Sequence, residues 1–507
     1  MEELVSALSI QDSDVRESAV EELIRLGPEV LPTLEGALWD ESLSRTTRDM
    51  AAYVLTSIWD AQAVPTLERM LDDHSPDHFF QGRALLALGE IGSEGVPVLA
   101  RVLRDGEQPL TIREWATRAL AGGGSTALPV LESVLLDGGL SVSMREIAAD
   151  TLGEMGDVRA IPALESILID GWKSRNLPHL FSQESPARDI QAEESIRHRA
   201  AAALGAMGNT RSVATLVGVL ADRSEVEWVR QSAAGALGQI GDAYALPVLV
   251  RVLNDKSEAD GVRHSVISAL AGIGSEAIAL LEPFQEDNSP DNVFRESALR
   301  ALAQCGPGAV PALERVIHNE SEDGHFRWMT AAALKEMGPE ALPALERVLR
   351  SRGQESYIRR VAAQGLAQVG GARSLSVLTA ILSDSDEESF IRANTAGALV
   401  GMGPDAVPTL TGLLQDRGQD NFIRRSVAWA LVRIDDLRLL PALQDALHDT
   451  SLGTTIRCEA AGRLSRFGPE AVPVLEAALE DEDNDIRRSA QEALEHFQDS
   501  ILGQTET

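Results

Sequence analysis

Few residues in this chain have types and spacing that suggest chemistry. His74 and His78 stand four apart, the interval at which one helix face can hold a metal ion, but Pro76 between them breaks a helix. The pair therefore reads as satisfied or solvated. Asp481, Glu482, Asp483 and Asp485 imitate the start of a calcium loop, without the central Gly and distal Glu such a loop requires. A Gly-rich phosphate loop, a nucleophile elbow and a zinc spacing are all missing from the sequence, so no catalytic residue, metal or cofactor is expected. What remains is binding chemistry. Arg69, Arg101, Arg104, Arg251, Arg315, Arg347 and Arg350, with His318 and His448 in register, fall at corresponding places along the chain. A row of guanidinium groups suits carboxylates or an acidic peptide.

These arginines are positioned by a repeat. In the segment from Val229 to Asp255, apolar or small residues at 229, 233, 236, 237 and 240 draw one stripe on a first helix, A. Gly241 supplies a left-handed stop and Asp242 a side-chain acceptor for the next helix's free amides. A second helix, B, follows with Leu246, Leu249, Val252 and Leu253 inward and Pro247 in its first turn. Such a pair cannot bury both faces alone and needs copies on either side.

The copies are present. An Arg opens helix A at 16, 48, 113, 145, 197, 230, 263, 295, 327, 359, 392, 424, 457 and 487, with Gln81 in the one vacant place, giving fifteen units. The intervals are 32 or 33 residues except for a last step of 30 and one of 52 between Arg145 and Arg197. A Gly lies eleven residues after the Arg in most units, as at Gly27, Gly92, Gly156, Gly208, Gly274, Gly338 and Gly403; Trp59 and Asp435 replace it in two. Pro recurs in the opening turn of helix B, as at Pro65, Pro97, Pro129, Pro162, Pro311, Pro343 and Pro473.

These units resemble the HEAT-like repeats named after the phycobilisome lyases, a branch of the HEAT and armadillo superfamily, over roughly residues 12 to 498. The resemblance implies an all-α, right-handed α-solenoid with B helices lining a concave face. Bilin lyases, deoxyhypusine hydroxylases and many binding proteins share the repeat. The His-Glu pairs with which the hydroxylases hold iron do not occur here. The expected division is 1–170 and 196–500 as repeat blocks, 171–195 as an insertion and 501–507 as a tail. The insertion, with Pro178 and Pro186, is too broken for one helix, and Trp172 and Phe181 make its first half apolar enough to dock.

Two further patterns recur. An Asp closes helix B in most units, as at Asp40, Asp105, Asp222, Asp255 and Asp449, and is expected to pair with the Arg of the following helix A in a ladder along the stack. The B-to-A loops are acidic and often end in an aromatic: Trp228, Phe294, Phe326, Tyr357, Phe390 and Phe422. These aromatics are expected to pack as staples, or else to line one edge for a partner.

Composition narrows the partner. With 78 acidic against 45 basic residues the net charge is −33, which disfavours nucleic acid and anionic membranes. No basic n-region with an apolar core opens the sequence, no apolar run reaches membrane length, and Cys305 and Cys458 lie in separate repeats, so a reducing cytoplasm is expected. The function expected is a non-enzymatic scaffold binding a protein or peptide on the helix-B face, with Arg101, Arg104, Arg251, Arg315, Arg347, Arg350, Trp172 and Phe181 as contacts. A bilin lyase or carrier is the alternative that the resemblance implies. A nucleic-acid binder like the HEAT-like DNA glycosylases is disfavoured by charge.

Overall fold

The computed structural model describes residues 2–10, 12–72, 78–175, 186–286 and 293–505. Among them every regular element is a helix. The chain forms two compact units, Met1–Glu276 and Ala277–Thr507. Each is an α-solenoid of stacked A/B helix pairs.

The pair Glu227–Ile240 and Leu246–Asn254 shows how the sequence makes a unit. Gly241 ends helix A at φ 70, ψ 21, the left-handed region a Cβ resists. Asp242 then accepts a hydrogen bond from Tyr244 N at 2.8 Å and opens a short 3-10 turn. The turn delivers the chain to helix B with Pro247 in its first turn, where no N–H is missed. Asp60, Asp157 and Asn209 repeat the same side-chain cap. Val229, Ala233, Leu237, Leu249 and Leu253 are buried, as the stripe predicts.

Consecutive A helices in the first unit come close enough to touch through their backbones. A Cβ on Gly238 would lie 2.6 Å from the Cα of Ala269, and one on Gly89 would lie 2.6 Å from the carbonyl oxygen of Ala119. Glycine is required there by proximity rather than by backbone angle.

Helices enter the interrupted interval from both sides, Ile161–Arg175 and Pro186–Ala206. Trp172 lies in the first, with its side chain outside the description, and Phe181 lies outside the described residues altogether, as does His74. No described helix is long and apolar enough to cross a membrane. Cys305 and Cys458 are both free, and burial pushes the Cys305 thiol up to about 11.

Candidate partner-binding surfaces

The arginine that opens helix A is structural, and its partners differ from those expected. In nine units its Nε donates to a carbonyl at the end of its own preceding helix B, ten residues back. Arg230 reaches Leu220 O at 3.0 Å, Arg359 reaches Leu349 O at 2.8 Å and Arg457 reaches Leu447 O at 2.7 Å. Gln81 keeps this bond, to Leu71 O at 2.9 Å, which explains why it can stand in the row. The rest of the guanidinium points forward to the next unit's loop. Arg230 makes two bonds of 2.7 Å to the two oxygens of Glu258, and Arg359 makes the same fork with Glu387.

The expected Asp is therefore corrected to the Glu or Gln three residues beyond the corresponding position of the next unit, Glu258 rather than Asp222 for Arg230. Arg197 pairs with Glu225, Arg295 with Glu322, and Arg392 with Gln419 at 2.6 Å. Asp222 and Asp255 spend a carboxylate oxygen on their own loop, on Ser224 N and Ser257 N at 2.9 and 3.0 Å. Where the third residue is Leu452, which has no acceptor, Asp449 takes Arg424 instead. Hydrogen bonds from Arg230 and Arg359 hold the carboxyls of Glu258 and Glu387 below the usual glutamate range.

This ladder is buried, so it is unavailable to a partner: the Arg359 and Glu387 side chains are 1% and 2% exposed. At Arg197, which follows the 52-residue interval, the buried Nε has no hydrogen-bond partner.

The helix-B arginines form a second, exposed ladder. Arg101 meets Glu68 at 3.2 Å, Arg315 meets Glu282 at 3.0 Å, and Arg347 forks onto Glu314, each carboxylate belonging to the unit before. Arg350 meets Glu346 on its own helix at 3.2 Å. Pairs this exposed contribute about 0–1 kcal/mol each. Arg104 and Arg251 are exposed and make no ion pair among the described residues. Helices Val64–Leu71 and Val96–Arg104 flank an 880 Å³ cleft lined by Arg69, Arg101, Arg104, Pro65 and Pro97. It gathers three of the arginines on one face.

The aromatic loop ends divide by a single residue of register. Phe294 and Phe326 directly precede the ladder Arg and are buried, Phe326 to 5%. Tyr357, Phe390 and Phe422 stand two before it, where an Ile fills the core place, and they project outward, Phe390 at 54% and Phe422 at 51%. One residue turns a helix by about 100°, which moves the ring from core to surface. So Phe294 and Phe326 pack inward as the staple reading expects, Tyr357, Phe390 and Phe422 stand exposed, and Trp228, two before Arg230, is half-buried.

Sequence reasoning missed a further position, five residues after the ladder Arg. It holds a small or polar residue in most units but Tyr53, Leu86 and Trp429 in three. All three are exposed. Leu86, Phe79 and Trp115 surround a 560 Å³ cleft in the first unit, and Trp429, Phe390 and Phe422 wall a 690 Å³ cleft in the second.

Three A helices of the first unit also bring together Glu146, Asp150, Ser195, His198, Arg199 and Ser232. His198 Nδ1 touches Ser232 Oγ, Ser195 bonds Glu146, and Asp150 lies 3.3 Å from Arg199. Burial, more than Arg199, pushes His198 down, and burial pushes Asp150 up. Ser232 sits inside the helix Glu227–Ile240, whose amides are committed to helix bonds and cannot receive an oxyanion. The cluster is a polar seam between units. The acids after Asp481 are likewise engaged: Asp481 takes Asp483 N and Arg457, and Asp483 takes Asp485 N at 2.9 Å. No group of metal-ligating side chains occurs among the described residues.

Comparison with known proteins places this architecture. The family model for HEAT repeats matches residues 42–121 and, in overlapping segments, 188–495; that for PBS lyase HEAT-like repeats matches 144–170. A comparison with curated proteins gives no significant match. Among solved structures, human deoxyhypusine hydroxylase is 21% identical, with 60% of this chain and 95% of that one covered and a TM-score of 0.23. The complex of CpcE and CpcF of phycocyanin lyase from Nostoc sp. PCC7120 is 23% identical over 54% of this chain and 94% of that one, TM-score 0.29. Kap121p bound to Pho4p is 13% identical over 97% of this chain, TM-score 0.42, and the chain spans 56% of its length.

Proposed function

The chain belongs to the HEAT-repeat family, and from that premise we propose that it is a non-enzymatic scaffold that binds a protein or peptide through its helix-B face. The observation that carries this reading is the separation of the two arginine rows. One row is consumed inside the stack, whereas the other lies on the surface, where Arg101 and Arg104 line an open cleft and Arg251 stands exposed. Surface guanidinium groups in a protein of net charge −33 mark a place for carboxylates. Repeated units supply such places at a regular interval, which suits an extended partner.

Reversal of the two unpaired cations, Arg104→Glu with Arg251→Glu, tests the reading. Both side chains are exposed, so the helical circular-dichroism signal and unfolding midpoint stay as in the wild type. Partners that co-purify with the full chain are expected to be lost or reduced about tenfold. Retention of every partner at wild-type yield would remove the helix-B face from the function.

A further inference from the structure

The second unit carries a cleft on its A helices that the helix-B reading does not use. Helices Ser356–Val369, Ser389–Leu399 and Asn421–Leu431 line it. Phe390, Phe422 and Trp429 form its apolar walls, Gln364 and Asn394 supply amides, and Arg360 stands at one side. Its volume is 690 Å³, within the range of ligand-sized clefts. Small residues make the floor: a Cβ on Gly397 would sit 3.6 Å from the Trp429 ring, so the indole lies across that glycine. Arg433 stacks on the indole at 4.0 Å and is itself paired with Glu459 at 3.0 Å.

Charge decides what fits. The chain carries 78 acidic residues, yet no carboxylate lines this cleft, and Arg360 is its one charged lining residue. Arg360 is exposed and makes no ion pair among the described residues, while the adjacent Arg359 is locked to Glu387. An occupant with a Lys or Arg would meet a lone cation without a carboxylate to balance it. A single Arg balances a single carboxylate, and the further charges of an acidic tract would find no cation in this cleft.

We infer that the helix-A cleft of the second unit binds a partner peptide presenting one large apolar or aromatic side chain beside a single Asp or Glu. The apolar side chain packs between Trp429 and the two phenylalanines, and the carboxylate meets Arg360. Exposed aromatics next to an available Arg are the residue types that dominate protein interfaces.

The test uses the full chain and a phage library of random 12-residue peptides. Enriched peptides are expected to pair Trp, Phe or Leu with a neighbouring Asp or Glu. A synthetic copy of one is expected to quench tryptophan fluorescence in the wild type but not in Trp429→Phe. Its affinity falls tenfold or more on Arg360→Glu and on Trp429→Ala, and exchange of its acid for Lys restores binding to Arg360→Glu. The inference is overturned if no peptide is enriched, if the enriched peptides are basic, or if binding is the same on Arg360→Glu. Parallel measurement on Arg104→Glu/Arg251→Glu separates the two surfaces. Loss there with retention on Arg360→Glu supports the helix-B face alone and overturns this cleft.

Discussion

Replacement of Glu258 by Ala isolates what the buried ladder contributes. Arg230 and Glu258 are each 6% exposed and share two hydrogen bonds of 2.7 Å, and one Glu258 oxygen also accepts Ala259 N at 3.0 Å. The substitution leaves a charged guanidinium in the interior with only the Leu220 carbonyl as partner. Breaking a buried pair from one side costs about 3–5 kcal/mol. Glu258→Gln keeps an acceptor, as Gln354 and Gln419 do for Arg327 and Arg392. Its cost is about 1–2 kcal/mol, that of a lost charge-assisted bond. In a stack of nearest-neighbour contacts the loss falls on one junction. Amide hydrogen exchange of Glu227–Ile240 and Asp260–Ile273 is therefore expected to accelerate about a hundredfold or more in the Ala variant, since ~1.4 kcal/mol is tenfold. The Gln variant should show about tenfold. Unchanged protection in Glu258→Ala, or equal effects of Ala and Gln, would refute the assignment of this pair as a junction.

Acid should weaken the same junctions. Because the folded carboxyls of Glu258 and Glu387 titrate below the ordinary value of 4.5, their contribution is full above it and is lost as pH falls through the depressed folded value. Unfolding midpoints of the wild type and Glu258→Gln/Glu387→Gln should converge as pH falls below 4.5, and curves that stay parallel from pH 7 to the onset of acid unfolding would contradict this. Phe326→Ala should lower stability in urea by about 3–5 kcal/mol, against less than ~1 for the exposed Phe422→Ala; equal losses would undo the register argument. Gly238→Ala drives a Cβ into the neighbouring backbone and should cost about 1–3 kcal/mol by thermal unfolding. A neutral result there would show that the A helices can separate freely.

The period of 32 or 33 residues, the turn glycines and the prolines made the helix pairs legible, because each of those residues acts within its own unit. Side-chain partnerships were less legible because they join different units. Asp222 and Arg230 recur together at a spacing that pairs them within one loop, but the guanidinium of Arg230 points forward to Glu258 of the next unit while Asp222 accepts Ser224 N in its own turn. The helix-B arginines were placed correctly as a row, while their carboxylates, one unit back, were not assigned. The exposed aromatics were visible as letters. Which of them left the core depended on whether Phe stood one or two residues before the Arg, a comparison that the repeat alignment allows once the Ile of Phe390-Ile391 is matched to Phe326.

The forward direction of the buried ladder gives the chain a polarity. Arg230 and Arg359 each cap the helix behind them and are neutralised by the loop ahead, whereas Arg487 turns back onto the carbonyls of Asp481 and Glu482. A cut made before any unit leaves behind a buried cation, whereas the piece that follows the cut loses only a partner for a surface-capable acid. As the chain leaves the ribosome, the newest helix pair therefore holds an uncompensated arginine until the next loop emerges.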